Sequence, residues 1–497
     1  MAPRCKCLGW AKRLRRLRTL VRTKTKQGGA VAASRYRGLR VLVAGAGVSG
    51  RSAAEALLAA GAEVTVTDGS ADRLAALASL EAQGAQLVTG LDVPSEGTDL
   101  VVTSPGWRPD APLPAAAAAA GVEVIGEVEL AWWLDQEKPE GPATWLAVTG
   151  TNGKTTTVSM LESILRAHGD DVVACGNVGL PVVDAVRAGH RVLAVELSSF
   201  QLHWQSALRP KAAAVLNLAD DHLDWHGSLE SYGEAKAKVF AGNEVAVFNA
   251  DDEWSARLVE PAGGRHVSFT LAAPAEGQLG VAEEQLVDRA FGEDVVLAEL
   301  SEVRPAGPHN VANALAAAAL ARAHGVAPEA VAEGLRTFEP GAHRSVLVTE
   351  AAGVSYVDDS KATNPHAADA ALRAHDSVVW IAGGLLKGAD VDDLVRANTG
   401  RLAAVVLIGR DRAEFSAALG RHAPDVPVHE VAAGDDAGML EAVRLAHDCA
   451  RPGSVVLLAP AAASMDMFTD YAHRGRAFAD AVRAVLSETP AATTRGG

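Results

Sequence analysis

The sequence predicts an α/β protein with three domains, each built on a mostly parallel sheet. Strand-like apolar runs alternate with helix-compatible stretches from Leu39, again from Thr144 and again from Val354. This alternation favours parallel sheets. A chain of 497 residues also has the length of about three domains. A Pro- and Gly-rich linker separates the first two units, and we expect domains at 38–135, 136–340 and 341–497.

Composition excludes several other classes of protein. With 48% hydrophobic and 22% charged residues, the chain can bury several cores. Its four cysteines form no CxxC pair and no cluster at zinc-finger spacing, which argues against a disulfide scaffold or a structural zinc site and favours a reducing cytosol. The longest apolar runs, such as 115–120, are far shorter than the roughly 20 residues that span a membrane, so we expect no membrane insertion.

Charge divides the chain into a basic tail and an acidic body. Residues 1–37 carry twelve Lys or Arg and no acid, whereas the rest carries 34 basic and 61 acidic residues, a net charge of −27. We expect the tail to be disordered or to precede the true start, although basic runs also bind nucleic acids. The body keeps seven lysines, which indicates sites that need a compact primary amine: Lys138, Lys154, Lys211, Lys236, Lys238, Lys361 and Lys387.

A glycine-rich turn opens the first domain. The strand RVLVA leads into Gly45-Ala-Gly47-Val-Ser-Gly50, a helix follows, and the next strand ends at Asp68. This is the start of a Rossmann-like sheet, in which the turn lets the backbone approach a pyrophosphate and the acid takes a ribose hydroxyl. The turn alone is compatible with a dinucleotide, with another nucleotide diphosphate, or with glycines that only ease a tight connection. A second loop, Ser104-Pro-Gly106, would line the same cleft.

The strongest local motif is Gly150-Thr-Asn-Gly153-Lys154-Thr-Thr, between a strand and a helix. That context makes a triphosphate cradle from backbone N–H groups, a lysine ammonium and a magnesium-binding hydroxyl. The loop is shorter than the usual Walker pattern, because its leading glycine lies only three residues before Gly153. The motif therefore predicts a loop that binds a nucleoside triphosphate in the middle α/β domain; the alternative is a turn that occurs by chance.

Candidate magnesium ligands follow two strands of this domain. Glu196 ends the run RVLAVEL, and an acidic cluster with one histidine follows AAAVLNL at 220–224. Strand ends are where α/β sites gather, and carboxylate oxygens suit Mg²⁺. Each acid alone is equally compatible with a solvated loop. Lys236 and Lys238 would by default lie on a solvated helix face.

Polar residues also gather further along the chain. Asn310 and Asn313 are three residues apart and share one face of a long alanine helix, although Asn310 alone would fit an N-cap. In the last domain, polar residues lie at or just beyond strand ends, where cations would attract anionic ligands. This set comprises Arg344, Asp359, Lys361, Thr363, Lys387 and Ser464.

A series of motifs in chain order resembles the Mur ligase family, over about 38–490. The motifs are GTNGKTT at 150–156, GNVGLP at 176–181, VELSSFQL at 195–202, LADDHLDWHG at 218–227, YGEAK at 232–236, GPHNVANALAA at 307–317, HRSV at 343–346, DDSKATNP at 358–365, GGLLKGAD at 383–390 and LAPAAASMDMF at 458–468. Within the family, DSKATN is similar to the text of the member that adds D-glutamate.

The resemblance implies a Rossmann-like N-terminal domain that binds the uridine nucleotide, a central P-loop ATPase domain and a Rossmann-like C-terminal domain that brings D-glutamate. It implies an ATP-dependent amide ligase that adds D-glutamate to UDP-N-acetylmuramoyl-L-alanine through an acyl phosphate. Such an enzyme acts in cytoplasmic peptidoglycan precursor synthesis, and thereby in cell-wall biogenesis, cell shape and cell division. The alternative is a sister ligase that adds another amino acid. The expected partners are ATP and the two substrates, and we expect a monomer that binds no nucleic acid.

The resemblance also implies roles for individual residues. The catalytic residues would be Lys154, Asn177, His222 and Lys236. Two Mg²⁺ ions would be held by Thr155, Glu196, His222 and Lys236, the last as an N-carboxylated lysine. ATP would contact Gly150, Thr151, Asn152, Gly153, Lys154, Thr155, Thr156, Asn310, Asn313, Arg344 and Asp359. The UDP substrate would contact Gly45, Gly47, Val48, Ser49, Asp68, Ser104 and Gly106. D-Glutamate would contact Lys361, Thr363, Lys387, Ser464 and Tyr471, the last where the family often has phenylalanine.

Two other functional classes stay open on the residues alone. The glycine turn with Asp68 suits a nicotinamide-dependent dehydrogenase, although no titratable catalytic constellation accompanies it and the loop at 150–156 would be unexplained. The basic tail suits a non-enzymatic nucleotide switch or a nucleic-acid-binding protein.

Overall fold

The computed structural model describes residues 35–432 and 434–488, so the predicted basic tail lies outside the described residues except at its last three positions. The described residues form three sheets in two compact units. One unit comprises the described residues up to Leu134 and Pro181–Arg187, and the other comprises Asp135–Leu180 and the residues from Ala188 onward. The predicted α/β class is confirmed, whereas the three domain boundaries stay predictions. None of the helices in the described ranges has the length and apolar character needed to cross a membrane.

The first unit contains a five-stranded parallel sheet in the order β3-β2-β1-β4-β5, which is the Rossmann strand order without its sixth strand. Its strands are β1 (Arg40–Ala44), β2 (Glu63–Asp68), β3 (Gln86–Thr89), β4 (Leu100–Thr103) and β5 (Glu123–Gly126). The helices that accompany them are α1 (Val48–Ala59), α2 (Ala71–Ala75), α3 (Ala78–Glu81), α4 (Pro112–Ala120) and α5 (Glu127–Asp135).

The second unit begins with a nine-stranded sheet in the order β14-β13-β12-β11-β10-β9-β6-β8-β7. Strands β6 to β12 run parallel to one another, whereas β13 is antiparallel to both of its neighbours, β12 and β14. The strands are β6 (Thr144–Thr149), β7 (Val172–Gly176), β8 (Val192–Glu196), β9 (Ala212–Val215), β10 (Val245–Asn249), β11 (Arg265–Phe269), β12 (Gln278–Ala282), β13 (Gln285–Asp288) and β14 (Val295–Glu299). The helices that accompany this part of the chain are α6 (Lys154–His168), α7 (Val182–Ala188), α8 (Ser199–His203), α9 (Leu223–His226), α10 (Leu229–Ala237), α11 (Glu253–Val259), α12 (Pro308–His324) and α13 (Pro328–Arg336). Of these, α7 belongs to the first unit except for its last residue.

A six-stranded sheet in the order β15-β16-β20-β17-β18-β19 completes the second unit. All its strands are parallel except β15, which forms a hairpin with β16. The strands are β15 (Val346–Ala351), β16 (Val354–Asp358), β17 (Val378–Gly383), β18 (Leu402–Ile408), β19 (Val428–Glu430) and β20 (Val455–Leu458). The helices are α14 (Pro365–Arg373), α15 (Asp392–Asn398), α16 (Arg412–His422), α17 (Asp436–Cys449) and α18 (Tyr471–Glu488).

Small side chains let three helices pack closely on the central sheet. Helix α12 packs against α6, β9 and β10, and its alanines from Ala316 to Ala319 are fully buried. Helix α13 also packs closely against α6, because a Cβ at Gly334 would be 2.3 Å from the Cα of Ile164. This packing fixes α6, whose first turn carries Lys154, relative to the sheet.

We expect Gly334→Ala to lower the free energy of unfolding by about 1–3 kcal/mol, since the two helices must move apart to admit a methyl group. Gly420 offers a matched control, because it also lies in a helix but has open space where its Cβ would stand. Gly420→Ala should be neutral or stabilising by up to about 1 kcal/mol. Denaturant unfolding followed by circular dichroism makes the comparison, and equal effects would contradict the packing argument.

A buried carboxyl group joins two helices of the first unit. Glu127 is 2% exposed, and its Oε1 accepts a hydrogen bond of 2.7 Å from the backbone N–H of Val183 at the start of α7. Burial raises the pKa of Glu127 to about 7, although the N–H groups of Val183 and Val182 oppose the shift. The folded protein therefore favours the protonated form of this side chain more than an exposed glutamate would.

This raised pKa predicts a pH-dependent effect of Glu127→Gln. Because the pKa rises from 4.5 to about 7, ionisation costs the folded state nothing below pH 4.5 and its full penalty above pH 7. Glutamine stays neutral and still accepts a bond from Val183, so the variant should gain on the order of 3 kcal/mol above pH 7 and almost nothing near pH 4.5. Thermal unfolding at pH 5 and pH 8, with the exposed Glu63→Gln as control, measures the difference; a gain independent of pH would refute it.

Candidate active site

The phosphate loop at 150–156 connects β6 to α6 and is held from two sides. The N–H of Thr151 donates to the carbonyl of Asn217 at 3.0 Å, and the N–H of Asn152 donates to Oδ1 of the same residue at 2.9 Å. On the other side, a Cβ at Gly153 (φ +83°) would be 2.3 Å from Oδ1 of Asn313. Glycine at this position therefore permits both the left-handed turn and the close approach of α12.

Two lysine side chains end on one backbone oxygen of this loop. Nζ of Lys154 donates to the carbonyls of Gly150 and Thr151, at 2.9 and 2.7 Å. Nζ of Lys236 donates to the same Gly150 carbonyl at 2.7 Å. Lys236 is 1% exposed, so the prediction that it lies on a solvated helix face is wrong. Burial lowers the pKa of both amines, and the Lys154 charge further lowers that of Lys236, while Glu196 and Asp221 oppose the shifts.

Glu196 places a buried carboxylate beside the loop. It ends β8, is 2% exposed, and its Oε1 accepts a hydrogen bond of 2.8 Å from Nδ2 of Asn177. Asn177 follows the neighbouring strand β7, and its own N–H donates to the Glu196 carbonyl at 2.9 Å. The structure thus brings together two of the predicted residues that lie on adjacent strand ends.

His222 is the N-cap of the short helix α9 and has a left-handed backbone conformation, with φ +54°. Its N–H donates to Oδ1 of Asp221 at 2.9 Å, and its Nε2 lies 3.5 Å from Oδ2 of that carboxylate. Burial lowers the pKa of His222, against the raising effect of Asp221. The imidazole is therefore biased toward the neutral form that can accept a proton or bind a metal.

The donor groups fit one Mg²⁺ site better than two. The Thr155 hydroxyl and the Glu196 carboxylate are the hard oxygen donors that Mg²⁺ takes alongside waters and phosphates. For the second site, His222 has only a lysine amine as its expected partner, and an amine that donates to Gly150 supplies no anionic oxygen. Within 35–432 and 434–488, no three His, Cys, Asp or Glu side chains cluster as a metal site. The first site therefore fits as it stands, and the second needs a modified Lys236.

An aromatic cluster that sequence reasoning missed surrounds these groups. The hydroxyl of Tyr232 lies 3.3 Å from that of Thr151, and its ring centroid lies 4.3 Å from Nζ of Lys236. Nε2 of His226 lies 2.9 Å from Oγ of Ser199, and burial lowers the pKa of His226 to about 4. The sequence could have indicated the contact between Tyr232 and Lys236, because the two residues are four positions apart and so share a helix face.

The C-terminal sheet contributes three contacts to the phosphate loop. Nη1 of Arg344 donates to Oγ1 of Thr156 at 3.3 Å, and Nζ of Lys361 donates to Oγ1 of Thr155 at 3.4 Å. Nδ2 of Asn364, which was not predicted as a site residue, donates to Oδ1 of Asn152 at 3.0 Å. Burial lowers the pKa of Lys361 to about 8, with Arg344 adding to the effect.

A cavity of about 430 Å³ opens beside the loop and contains most of the predicted ATP contacts. Burial raises the pKa of Asp359 in its wall to about 7, while the Ser345 N–H and Arg344 oppose the shift. Predicted residues in the wall are Asn152, Gly153, Thr155, Thr156, Asn310, Asn313, Arg344 and Asp359. Sequence reasoning missed the apolar and polar wall formed by Asn249, Phe269, Leu271, Pro305, Pro308 and Phe338, of which only Pro308 lies in a motif that the sequence analysis singled out.

The N-cap interpretation of Asn310 is wrong. Helix α12 begins at Pro308 with Gly307 as its N-cap, so Asn310 lies inside the first turn. Its side chain is buried, and its Oδ1 accepts a hydrogen bond of 3.3 Å from Nδ2 of Asn313. Proline fits the first helical position because its missing N–H would have no partner there, and this signal was present in the sequence.

A second cavity, of about 620 Å³, holds part of the predicted D-glutamate set. Thr363 and Lys387 line it together with His222, and the segment before Ser464 contributes Ala463. Lys361 instead faces the smaller cavity, with its Nζ 4.9 Å from the ring centroid of Tyr471. The five residues predicted to contact D-glutamate all lie in the C-terminal part of the chain, but they do not line a single cavity.

Arg474 holds two of these segments together and was not predicted. It is 1% exposed in α18, and its guanidinium donates to Oγ and the carbonyl of Ser360 and to the carbonyl of Ala462, at 2.8 to 3.0 Å. Ser360 precedes Lys361, and Ala462 lies two residues before Ser464. An arginine on the buried face of a helix is the sequence signal, since buried cations need partners.

The glycine turn of the first unit is shaped by packing and by one acid. A Cβ at Gly50 would lie 1.9 Å from the Gly45 carbonyl oxygen, so α1 approaches the turn as closely as glycine allows. Oδ2 of Asp68 accepts from the Ala46 N–H at 2.8 Å, and Oδ1 accepts from the Ser70 N–H at 2.9 Å. Burial opposes ionisation of Asp68, but these N–H groups outweigh it and lower its pKa. Asp68 therefore orients the turn through these two hydrogen bonds, independently of any ligand that it binds.

The other residues predicted for the UDP substrate surround this turn. Gly47, Val48 and Gly106 are exposed, Ser49 is half-buried, and Val48 has 70% of its surface accessible. Oγ of Ser104 is buried and meets no hydrogen-bond partner among the described residues. The backbone of the turn is therefore exposed at the start of α1, and the Ser104 hydroxyl beside it is available for a hydrogen bond.

Three family models match this chain in order. They are "Mur ligase MurD-like, N-terminal domain" at 39–126, "Mur ligase middle domain" at 148–321, and "Mur ligase, glutamate ligase domain" at 343–462. Among solved structures, MurF from Acinetobacter baumannii has a TM-score of 0.60 at 21% identity, covering 85% of this chain and 91% of its own. UDP-N-acetylmuramate-alanine ligase MurC from Thermotoga maritima has a TM-score of 0.55 at 20% identity, covering 91% and 100%. Both share the fold.

Curated relatives are much more similar in sequence. A protein of Thermobifida fusca named UDP-N-acetylmuramoylalanine–D-glutamate ligase is 57% identical over 465 residues, which cover 90% of this chain and 99% of that protein. One of the same name from Nocardia farcinica is 53% identical over 470 residues, covering 90% and 97%. Identity at this level, over nearly the whole length of both relatives and across all three family models, shows that this chain belongs to the Mur ligase family.

Proposed function

We propose that this chain is the ATP-dependent ligase that joins D-glutamate to UDP-N-acetylmuramoyl-L-alanine in cytoplasmic peptidoglycan precursor synthesis. The observation that carries the proposal is the meeting of the phosphate loop with the turn at 358–364, where Lys361 donates a hydrogen bond to Thr155 in the wall of the smaller cavity. Relatives at 53–57% identity bear the name of this ligase, which supports the same reaction here.

The reaction needs activation because a carboxylate is a poor electrophile. An oxygen of the alanine carboxylate attacks the γ-phosphorus of ATP, and the bond from that phosphorus to the β-phosphate oxygen breaks. ADP is released, and the alanine carboxyl group becomes an acyl phosphate. The D-glutamate amine then attacks the acyl carbon. The tetrahedral intermediate expels phosphate while the nitrogen loses its proton, and an amide is formed. No covalent bond to the protein is required.

The chain's own groups position and neutralise the phosphates. Lys154, held against the carbonyls of Gly150 and Thr151, offers its ammonium beside the loop, and Arg344 adds a second cation at Thr156. Phosphoryl transfer depends chiefly on such positioning and charge neutralisation. Asn177 donates to Glu196 and so fixes the direction of that carboxylate. Asn310, Asn313 and Asp359 line the nucleotide cavity and are assigned to ATP with the loop itself.

Two Mg²⁺ ions are assigned to Thr155 with Glu196 and to His222 with Lys236. Bound there, Mg²⁺ neutralises phosphate charge. The second pair requires N-carboxylated Lys236, which forms when the neutral amine attacks carbon dioxide and releases one proton. A buried amine with a lowered pKa supports this step, because more of it is neutral, and an arginine could not replace it.

The remaining assignments follow the predicted domains at 38–135, 136–340 and 341–497, in a monomer. The glycine turn of the first unit takes the UDP group at the start of α1, where backbone N–H groups favour anions. Its residues are Gly45, Gly47, Val48, Ser49, Asp68, Ser104 and Gly106. D-Glutamate is assigned to Lys361, Thr363, Lys387, Ser464 and Tyr471.

The proposed reaction predicts a strict substrate requirement. The purified chain should release ADP with Mg²⁺ only when ATP, UDP-N-acetylmuramoyl-L-alanine and D-glutamate are all present. Coupled ADP detection measures turnover, and mass spectrometry of the nucleotide product identifies the added residue. L-Glutamate and the amino acids used by sister ligases are the controls. Turnover with one of those amino acids in place of D-glutamate would establish the alternative ligase, and tight NAD binding without uridine nucleotide binding would revive the dehydrogenase.

For Lys236, we expect Lys236→Ala to lower kcat roughly tenfold to a hundredfold, since it removes a group that supports a metal. Lys238→Ala is the matched control, because Lys238 lies two residues on and its Nζ donates to the carbonyl of His203 away from the loop. Carbon-13 NMR after incubation with labelled bicarbonate should show a carbamate carbon in wild type and in Lys238→Ala only.

Depletion of carbon dioxide gives the complementary measurement for Lys236. Wild type stripped of carbon dioxide should lose turnover and regain it with bicarbonate, whereas Lys236→Ala should respond to neither treatment. Wild type indifferent to carbon dioxide, or a fully active Lys236→Ala, would contradict N-carboxylation.

A further inference from the structure

Asn364 uses the two ends of its side-chain amide for two different contacts. Its Oδ1 accepts a hydrogen bond of 2.9 Å from the N–H of Ala367 and thereby caps α14. Its Nδ2 donates a hydrogen bond of 3.0 Å to Oδ1 of Asn152 in the phosphate loop. The first contact is local, whereas the second joins positions 212 residues apart in the sequence.

The acceptor of the second contact is itself fixed in place. The N–H of Asn152 donates to Oδ1 of Asn217 at 2.9 Å, and its carbonyl accepts from Nδ2 of Asn217 at 3.3 Å. Asn217 lies two residues beyond β9 in the central sheet. Because Asn217 engages both backbone groups of Asn152, the side chain of Asn152 is presented to Asn364 from a rigid base. Three asparagines thus connect the central sheet, the phosphate loop and α14.

Helix α14 forms a wall shared by the two cavities. His366, Asp369 and Arg373 line both the cavity of about 430 Å³ and the cavity of about 620 Å³. Lys361 and Thr363 lie in the turn that leads directly into this helix. The contact between Asn364 and the loop therefore ties both the wall and the turn to the phosphate loop. A displacement of about 1 Å at such a place is enough to misalign reacting groups.

We propose that Asn364 is a positioning residue that holds the turn at 358–364 in register with the phosphate loop while the amide forms. The inference rests on the proposed function, because that function assigns D-glutamate to residues that include Lys361 and Thr363 of the turn, and ATP to the phosphate loop. Asn364 acts through Asn152 and α14, and it does not contact the reacting atoms. Helix capping alone does not require asparagine, since serine caps equally well.

Asn364→Ser separates the two contacts, because serine keeps the cap but is too short to reach Asn152. We expect kcat/KM for D-glutamate to fall roughly threefold to tenfold, the range for one neutral hydrogen bond. The Kd for ATP, measured by calorimetry, and the Tm should stay at wild-type values. Asp435→Ser is the matched control, since it exchanges one good N-cap for another at the start of α17 and should change nothing. A variant Asn364→Ser with wild-type kcat/KM, or one whose loss accompanies a lowered Tm, overturns the proposal.

A double-mutant cycle with Asn152→Ala tests the contact without relying on one variant. If the two side chains act through their shared hydrogen bond, the double variant should match the weaker single variant in kcat/KM for D-glutamate. Losses that multiply would overturn the proposal. Failure of the proposed function is a distinct result: wild type that forms no amide from D-glutamate refutes that function and this inference together, whereas active wild type with an unaffected Asn364→Ser refutes the inference alone.

Discussion

Lys154 and Lys236 come from different helices and end on the same oxygen atom, the carbonyl of Gly150. Two ammonium groups that share one acceptor in a buried place repel each other, and each loses the hydration that would stabilise its charge. Such a pair is stable only with anionic groups nearby, which Glu196 and Asp221 supply in part. The site is therefore built to gain from added negative charge, and an arriving phosphate or a carboxylated amine would each provide it.

The same reasoning explains how lysines are used in a body with a net charge of −27. Four of its seven lysines are assigned to phosphate, metal or glutamate in the proposed function. The other three make contacts that support the fold: Lys138 pairs with Asp135 at 3.0 Å, Lys211 donates to the carbonyl of His324, and Lys238 donates to that of His203. Scarcity of lysine was thus a useful guide to function at some positions, but it could not separate these two uses.

Residues distant in sequence complete and support the site. Arg474 joins the segments before Lys361 and Ser464, and Asn364 ties the start of α14 to the phosphate loop. Asn364 lies in the motif DDSKATNP, and Arg474 lies on the buried face of a helix, but neither residue belongs to a local pattern of phosphate or metal binding. Periodicity and spacing therefore did not indicate which segments these two residues join. The apolar cavity wall around Phe269 was missed for the same reason. Phe269 ends β11, whose sequence is that of an ordinary buried strand.

Local sequence determined the α/β class, the glycine turn after β1 and the phosphate loop before α6, because strand periodicity, glycine conformation and helix starts depend on neighbouring residues. The sequence could also have predicted that Asn310 lies inside the first turn of α12, since Gly307-Pro308 marks the start of that helix. Only the tertiary structure decided that Lys236 is buried against Gly150, that Lys361 and Thr363 face different cavities, and that Asn364 reaches Asn152. These contacts depend on how separate sheets and helices pack, and no local pattern encodes the distance between side chains that packing brings together.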